Sequence, residues 1–283
     1  MDPHWETATP YYSRSGLHIE VYDRMEWPAN GPDVSFIVEL AGETGGPVLE
    51  LASGTGRVAW AVAEAGLDVM GLDLHPGMIE AAEAKRSGYA GLVGDRVGFV
   101  QGDMTDFDLG KRFKLVYITF RSFQALLTSE MQRDCLRRVW RHLEPGGRLM
   151  INIFDPRLTR CDAGFSEPVE EQTLRNPVTG MEVEHRSIER MNDPFSQTLK
   201  MLWVLRERDG VGNVVREEYE RLDLRWTYRQ EMRYLLELCG FEVEAEYSDF
   251  EKSPPACGKE QVWVARKVGE QEPLKPRAAL QRA

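Results

Sequence analysis

Short apolar segments alternate with longer amphipathic segments between residues 48 and 154 of this chain. The short segments are typical of buried strands, and the longer ones are typical of helices that cover a sheet. The predicted strands cover residues 48–50, 67–72, 97–100, 113–118 and 148–154. Because strands and helices alternate, the pattern predicts a parallel sheet with helices on both faces.

The alternation stops after residue 154, and residues 155–227 follow a different pattern. Four segments there place apolar and polar residues roughly alternately, and turn residues such as Asn-Pro and Asp-Gly separate them. The segments cover residues 171–175, 181–190, 198–206 and 214–224, and Leu199, Met201, Trp203 and Leu205 share one face of the third. We therefore expect an inserted antiparallel sheet of about four strands with one buried face, beside the mouth of the active site.

One more helix and two strands are expected after the insertion. Residues 228–239 form an amphipathic helix pattern that Gly240 ends, and strand patterns follow at 241–247 and 261–267. The expected fold class is α/β: a Rossmann-like, doubly wound, mostly parallel seven-stranded sheet with an inserted antiparallel sheet. The expected parts are a segment at 1–30, a main domain at 31–154 and 228–267, the insertion at 155–227, and a disordered polar tail at 268–283.

Composition favours a globular enzyme and disfavours nucleic acid or a membrane as a partner. Hydrophobic residues make up 42% of the 283 residues, and the net charge of −11 repels phosphate backbones. The N-terminus lacks a signal-peptide pattern, and no apolar run approaches the roughly 20 residues of a membrane helix. The four cysteines form no C-x-x-C pair, so we expect no metal site or disulfide framework and a cytoplasmic protein.

The candidate chemistry begins at the turn after the first predicted strand. Gly54 and Gly56 let the backbone take positive φ and approach a ligand, and the following helix offers unpaired N–H groups. Asp73 and Asp103 end the second and third strands, at the sheet edge where ligands bind in such folds. Gly54-x-Gly56-x-x-Ala59 alone also fits the dinucleotide fingerprint of a NAD-dependent oxidoreductase.

Four motifs in register extend beyond that fingerprint. They are E-x-A-S-G-T-G at 50–56, D-L-H-P-G-M at 73–78, G-D-M at 102–104 and L-x-P-G-G at 143–147. In this order the chain resembles the class I S-adenosylmethionine (SAM)-dependent methyltransferases, especially small-molecule enzymes such as amino-sugar N-methyltransferases and glycine or sarcosine methyltransferases. The resemblance covers residues 30–154 and continues at 228–267. Ala52 departs from it, because many members have glycine at that position.

The resemblance implies a SAM site, with S-adenosylhomocysteine (SAH) as the product. It implies that Asp73 accepts from the ribose hydroxyls, and that Asp103 and the Met104 N–H bind the adenine ring. Glu50 would order the glycine turn and offset the positive charges of the cofactor. The other predicted cofactor contacts are Ala52, Gly54, Gly56, Leu74, Met78 and Phe120. The alternative is that the three carboxylates only cap turns or helices and that Met78 is an ordinary packing residue.

Fewer residues indicate the acceptor side. Arg121 follows the fourth strand and either grips a substrate carboxylate or phosphate or forms a surface ion pair. Tyr12 and Tyr22 belong to the aromatic N-terminal segment, which the resemblance implies is a lid and which otherwise packs on the core. Phe123 is a candidate substrate contact, and His185 is a candidate base or a structural histidine. The predicted catalytic residues are thus Arg121, His185 and Tyr22, and the predicted substrate-binding residues are Tyr12, Arg121 and Phe123.

The predicted function is transfer of a methyl group from SAM to a small-molecule acceptor at nitrogen. In-line displacement at an activated methyl needs mainly positioning, and a neutral amine needs no base, whereas a hydroxyl does. Four alternatives remain: an O- or C-methyltransferase, a NAD-dependent oxidoreductase, a SAM-binding protein without activity, and a nucleic-acid methyltransferase. The last is disfavoured by the charge and by residues 119–122, which lack the Asn/Asp-Pro-Pro-aromatic signature.

Overall fold

The computed structural model describes residues 2–11, 16–25, 31–165 and 170–269 of the chain. The strands in these ranges are β1 (Thr9–Pro10), β2 (Val48–Leu51), β3 (Val69–Asp73), β4 (Val97–Gln101), β5 (Phe113–Ile118), β6 (Leu143–Phe154), β7 (Glu171–Arg175), β8 (Glu182–Asp193), β9 (Thr198–Arg208), β10 (Val214–Arg225), β11 (Phe241–Tyr247) and β12 (Glu260–Lys267). The α-helices are α1 (Leu17–Val21), α2 (Pro32–Thr44), α3 (Arg57–Glu64), α4 (Pro76–Ala84), α5 (Gly91–Gly94), α6 (Ser129–His142) and α7 (Arg229–Leu238). Short 3₁₀ helices cover Pro3–Trp5, Tyr22–Arg24, Lys85–Gly88, Ser122–Ala125 and Leu158–Arg160. No helix in these ranges combines the length and apolarity needed to span a bilayer.

The main sheet has seven strands in the order β11-β12-β6-β5-β2-β3-β4. The pairs among β4, β3, β2, β5 and β6 are parallel, while β12 runs antiparallel to both β6 and β11. The strand order reverses direction between β2 and β5, which makes the carboxyl ends of these two strands the switch point where ligands bind in such folds. The predicted fold class is confirmed.

Both faces of this sheet are buried under helices. Alternate residues of β5 belong to two different apolar clusters: Val116 packs with Leu136 of α6, and Tyr117 packs with Ile37 of α2. Neighbouring residues point to opposite faces of a strand, so a strand buried on both faces is apolar throughout. This explains why the strands of the main sheet are short continuous apolar segments in the sequence.

The insertion forms a second sheet in the order β1-β10-β9-β8-β7. The four strands predicted from the sequence, β7 to β10, form three antiparallel pairings, and their bounds differ from the predicted ones by a few residues. The fifth strand, β1, comes from the N-terminal segment and pairs parallel with β10. A strand of two residues has no periodicity, so no sequence pattern indicated it.

The N-terminal segment is fixed to the second sheet by several carboxylates. The backbone N–H of Leu17 donates to the Glu218 carboxylate at 2.9 and 3.1 Å, and the Trp5 indole donates to Glu189 at 2.7 Å. The buried His18 imidazole forms an ion pair with the buried Glu220 carboxylate of β10. Residues 2–11 and 16–25 therefore extend the second sheet and pack on it.

Candidate functional site

A cavity of ≈ 1060 Å³ opens where the carboxyl ends of the parallel strands face the second sheet. Its wall combines Gly54, Asp73 and Asp103 from the main sheet with Trp203 from β9 and Tyr11 from the N-terminal segment. Ligand pockets commonly hold about 300–1,000 Å³, so this cavity is large enough for two small molecules side by side. The size and the mixed wall fit a cofactor site joined to an acceptor site.

The turn after β2 has an unusual backbone that brings it close to the cavity. Ala52, Gly54 and Gly56 all have positive φ, at 57°, 54° and 76°. A Cβ added to Gly56 would lie 2.5 Å from Cζ of Phe99, so no larger residue fits there. The turn therefore needs its glycines for conformation and for close approach, as the sequence indicated.

The Asp73 carboxylate ties this turn to the end of β3. It accepts from the backbone N–H of Gly54 at 2.7 Å and from that of His75 at 2.9 Å. Each oxygen of a carboxylate has a second lone pair, so the group can still accept from a ligand. Asp73 lines the cavity and is half-buried, which lets it do both. The helix cap of α4 is His75, which accepts from the Gly77 N–H at 3.1 Å, so Asp73 is not that cap.

The part of the cavity beside Asp73 is lined by both apolar and polar residues. Leu74, Met78, Asp103 and Met104 line this part of the cavity. Leu74 is 54% exposed although it is apolar, whereas Met78 is buried. Asp103 accepts from the Thr105 N–H at 2.7 Å and from the Thr105 hydroxyl at 2.8 Å, both on Oδ1. Asp103 thus caps its loop through Oδ1 and also lines the cavity.

Glu50 lies in the interior rather than on the cavity wall. It is 2% exposed and is not among the described residues that line the cavity. Burial raises the pKa of its carboxyl to about 8, and the nearby Tyr117, Arg57 and Ala59 offset this rise only in part. A ligand in the cavity therefore does not contact Glu50 directly in this conformation. Any interaction between them would pass through the glycine turn or through bound water.

The N-terminal segment closes one side of the cavity over the glycine turn. The Tyr22 hydroxyl would lie 3.7 Å from a Cβ added to Gly54, and Tyr22 lines the cavity. The next residue, Asp23, accepts from the Thr55 hydroxyl at 2.6 Å and pairs with Lys85 at 2.7 Å. The predicted substrate contact Tyr12 lies outside the described residues.

The turn after β5 is held in place by side chains from β6 and β12. Phe120 and Arg121 line the cavity and have φ values of 62° and 63°. The side chain of Asn152, on β6, accepts from the Phe120 N–H at 2.6 Å. The Arg121 guanidinium forms an ion pair with Glu260 of β12. Asn152 and Glu260 also line the cavity.

Sequence reasoning did not identify Asn152 or Glu260. A signal for Asn152 exists, because it is a single polar residue inside the apolar run of β6 and is 3% exposed. Buried amides need partners, so such a residue indicates a polar contact in the fold. Glu260 gives no comparable signal, since it begins a strand and is half-buried.

Two of the residues predicted for catalysis or substrate binding lie away from the cavity wall formed by the described part of the chain, as do Glu50 and Gly56 of the predicted cofactor contacts. Phe123 is fully buried in the core below the sheet edge, so a substrate contact would require that core to open. His185 is buried on β8, lies 3.0 Å from the Gln172 amide, and packs edge-on against Trp203. Its ring contacts Trp203, which lines the cavity, and its own position off that wall favours a structural role over the role of a base.

Comparison with known proteins indicates which class of reaction this cavity serves. Residues 48–147 match the family model described as a methyltransferase domain. This part of the chain is a methyltransferase domain. The match contains the glycine turn, both aspartates and the Phe120–Arg121 turn, so the methyltransferase domain supplies most of the cavity wall on the side of the main sheet.

Two curated relatives align with about half of the chain. The cypemycin N-terminal methyltransferase of a Streptomyces species is 34% identical over 142 residues, which are 49% of this chain and 55% of that protein. The dTDP-3-amino-3,4,6-trideoxy-alpha-D-glucopyranose N,N-dimethyltransferase of Streptomyces venezuelae is 31% identical over 140 residues, 47% of this chain and 56% of that protein. The chain thus spans little more than half the length of these relatives.

A solved structure is similar over nearly the whole chain. The CcbJ methyltransferase from Streptomyces caelestis superposes with a TM-score of 0.71 at 27% identity, and the match covers 92% of this chain and 99% of that one. Since it includes the second sheet as well as the methyltransferase domain, the entire architecture is shared with a methyltransferase.

Proposed function

We propose that this protein is an enzyme that transfers a methyl group from SAM to a nitrogen of a small-molecule acceptor. The observation that carries the proposal is the meeting of the glycine turn, Asp73 and Asp103 on one cavity of a methyltransferase domain. The two relatives described above are named as enzymes that methylate nitrogen. One is an N-terminal methyltransferase, and the other is an N,N-dimethyltransferase of an amino sugar. The O- or C-methyltransferase and the NAD-dependent oxidoreductase are therefore not favoured.

The proposal gives SAM a specific orientation among the described residues. Asp73 would accept from the ribose hydroxyls through its remaining lone pairs, while it continues to hold the Gly54 N–H. Leu74 and Met78 would pack on the adenine ring, with the Asp103 carboxylate and the Met104 N–H at its polar edge. Ala52, Gly54 and Gly56 would bring the backbone close to the methionine part, beside Tyr22 and Phe120.

The mechanism relies on placement more than on acid–base chemistry. SAM supplies a methyl group that is already activated on a sulfonium, so the chain must align the acceptor and exclude water. Tyr22 and the N-terminal segment would act as the lid over this cavity, and Trp203 and Tyr11 would form the acceptor wall. An amine that arrives neutral needs no base, which agrees with the position of His185 off the wall.

The proposal also assigns a role to each part of the chain and a class to the acceptor. Residues 1–30 would be the lid, 31–154 with 228–267 the SAM-binding domain, and 155–227 the part that shapes the acceptor pocket. The acceptor would be a small molecule and not nucleic acid, because the net charge of −11 opposes binding to a polyanion. A cytoplasmic location stays a prediction.

The first test is isothermal titration of the purified protein with SAH and, separately, with NADH. Micromolar binding of SAH alone supports the proposal, and binding of NADH alone would replace it with a dehydrogenase. A screen of amine acceptors with SAM, read by mass spectrometry as a gain of one or more methyl groups, then tests transfer. SAH binding without transfer to any amine, alcohol or carbon acceptor would indicate a SAM-binding protein without activity.

The ribose role of Asp73 is tested by Asp73→Asn, which keeps the shape and removes the charge. Hydrogen bonds to a charged group contribute about 1.5–3 kcal/mol, so SAH binding should weaken by roughly 10–150-fold. Asp68→Asn is the matched control, because Asp68 lies just before β3 and is exposed. Its ion pair with Arg96 is long, at 3.6 Å, and lies on the surface. Unchanged SAH affinity in Asp73→Asn would refute the assignment.

A further inference from the structure

The turn after β5 contains a backbone conformation that needs an explanation. Phe120 and Arg121 are consecutive residues with side chains, and both have left-handed φ values of 62° and 63°. Residues other than glycine seldom adopt this region, and they persist there only where the surroundings hold them. Such conformations cluster at functional sites, and this one lies on the cavity wall.

Asn152 holds this turn through its side-chain oxygen. Oδ1 accepts from the Phe120 N–H at 2.6 Å, with the Arg121 N–H and the Thr119 hydroxyl each at 3.4 Å. Asn152 lies on β6, which pairs with β5 on one side and β12 on the other. Its backbone is therefore fixed in the middle of the sheet, and so is its amide.

Glu260 fixes the orientation of that amide. Its Oε2 accepts from Nδ2 of Asn152 at 2.9 Å, so the Asn152 oxygen must face the turn. The Oε1 atom of Glu260 binds the Arg121 guanidinium, and that guanidinium lies 5.8 Å from the Phe154 ring centroid. The backbone of the turn and the side chain of Arg121 thus belong to one connected network.

The network reaches both halves of the cavity. On the side of the glycine turn, Arg57 lies 5.9 Å from the centroid of the Phe120 ring, and Arg57 itself pairs with Asp33. On the other side, Phe154 packs against the cluster that contains Leu199 and Leu222 of the second sheet, and Arg121 lines the cavity beside it. A shift of the turn would therefore displace the wall on the cofactor side and the wall on the acceptor side together.

We propose that Asn152 and Glu260 are positioning residues for methyl transfer, which hold the strained Phe120–Arg121 turn in place between cofactor and acceptor. The inference rests on the proposed function for its catalytic meaning. Glu260 also neutralises Arg121, so Arg121 contributes to the wall as one half of an ion pair and does not act as an open anion receptor. Misplacement by about 1 Å is enough to cost roughly a hundredfold in rate, which gives these contacts a measurable effect.

The test uses the complementary variants Asn152→Asp and Glu260→Gln in the full-length protein. Asn152→Asp places a second carboxylate against Glu260, so the two side chains repel and the turn loses its anchor. We expect kcat to fall by at least about tenfold with an acceptor found in the amine screen, and SAH affinity to fall by a smaller factor, because Phe120 lies on the cofactor side of the cavity. Adding Glu260→Gln to Asn152→Asp restores a donor–acceptor pair, so the double variant should regain most of the lost kcat.

Hydrogen exchange of the peptide that contains residues 119–122 provides a readout that needs no acceptor. Exchange should be about tenfold faster or more in Asn152→Asp and slow again in the double variant, because the turn amides lose and then recover their partner. Glu242→Gln is the control, since it removes an exposed ion pair with Arg266 on the same hairpin, away from this turn. It should change neither kcat nor exchange.

Three outcomes would overturn the inference. The first is a kcat within about twofold of the wild type in Asn152→Asp, and the second is exchange at residues 119–122 that does not change. The third is a loss of kcat that tracks a loss of melting temperature and is not rescued in the double variant, which would mean a purely structural role. If the wild-type protein binds SAH and methylates nothing, the proposed function fails, and the exchange data alone decide whether the network holds the turn.

Discussion

Ala52 occupies a backbone conformation that normally favours glycine. Its φ of 57° explains why many proteins that this chain resembles have glycine there. The left-handed region costs an L-residue about 1–2 kcal/mol, whereas glycine loses about 0.5–1 kcal/mol of extra chain entropy on folding. The two effects nearly cancel, so alanine is tolerated at this position.

Ala52→Gly should leave the free energy of unfolding unchanged or raise it by up to about 1 kcal/mol. The matched control is Ala61→Gly inside α3, where glycine has no conformational advantage and should cost about 1 kcal/mol. Urea unfolding of both variants measures the difference. Equal destabilisation at the two positions would contradict the strained geometry of Ala52.

The raised pKa of Glu50 predicts an unusual pH dependence of stability. The raised pKa keeps a proton on Glu50 in the folded protein up to about pH 8, whereas an unfolded chain releases it near 4.5, the ordinary pKa of a glutamate. Between these two values the folded state binds more protons than the unfolded state, so this group makes stability fall as the pH rises. The usual carboxylate, with a lowered pKa, gives the opposite slope.

Glu50→Gln removes this titration and should flatten the corresponding part of the stability curve. Relative to the wild type, the variant should gain stability steadily from about pH 5 to pH 8, by a few kcal/mol in total. Urea unfolding at several pH values in this window measures the change. Parallel curves for the two proteins would show that Glu50 is ionised in the fold.

At the scale of elements, the second sheet supplies the part of the cavity that the methyltransferase domain lacks. Trp203 of β9 lines the cavity, and Tyr11 packs edge-on against it at 5.6 Å. Its indole N–H is buried and has no hydrogen-bond partner among the described residues. A buried donor without a partner costs stability, and the part of Trp203 that the cavity can use is its aromatic ring.

Trp203→Leu should therefore affect the acceptor and leave the cofactor alone. We expect kcat/KM for the acceptor to fall by about 10–100-fold, because the large aromatic surface of the wall is lost, while SAH affinity changes less than about twofold. Tyr219→Leu is the control: Tyr219 lies on the neighbouring strand and stacks on His4 at 3.7 Å, away from this wall. Equal effects of the two variants on kcat/KM would mean that the sheet acts only as a scaffold.

At the scale of the whole molecule, one cavity joins three parts of the chain. The main sheet, the second sheet and the N-terminal segment each contribute to its wall, and Asp23 links the N-terminal segment to the glycine turn. A ligand in the cavity contacts elements that are far apart in sequence. Its binding should therefore stabilise the molecule as a unit.

SAH at a hundred times its dissociation constant should stabilise the folded protein by about 2.7 kcal/mol. For a protein of this size that corresponds to a rise in melting temperature of roughly 5–10 °C. A thermal scan with SAH, with NADH as the control ligand, measures the shift. Asp73→Asn should show a smaller rise at the same SAH concentration, and an equal rise would argue against the ribose contact.

The sequence by itself determined the seven strands of the main sheet, the four long strands of the second sheet, the glycine turn, and the positions of Asp73 and Asp103 at strand ends. These features depend on periodicity, on glycine and on spacing along a short stretch of chain, which are local properties. The same local reasoning identified the family resemblance. It placed element ends only approximately: β6 begins at Leu143 rather than at 148, and β3 begins at Val69 rather than at 67.

Only the tertiary structure decided which side chains meet across long stretches of chain. Arg121 and Glu260 are 139 residues apart, and Asn152 and Glu260 are 108 apart, so no local pattern could pair them. Packing also determines that Phe123 and His185 lie away from the cavity wall. It likewise causes the burial that raises the pKa of the Glu50 carboxyl. Local patterns specify where a strand ends, while contacts between strands distant in sequence determine what each residue at that end can bind.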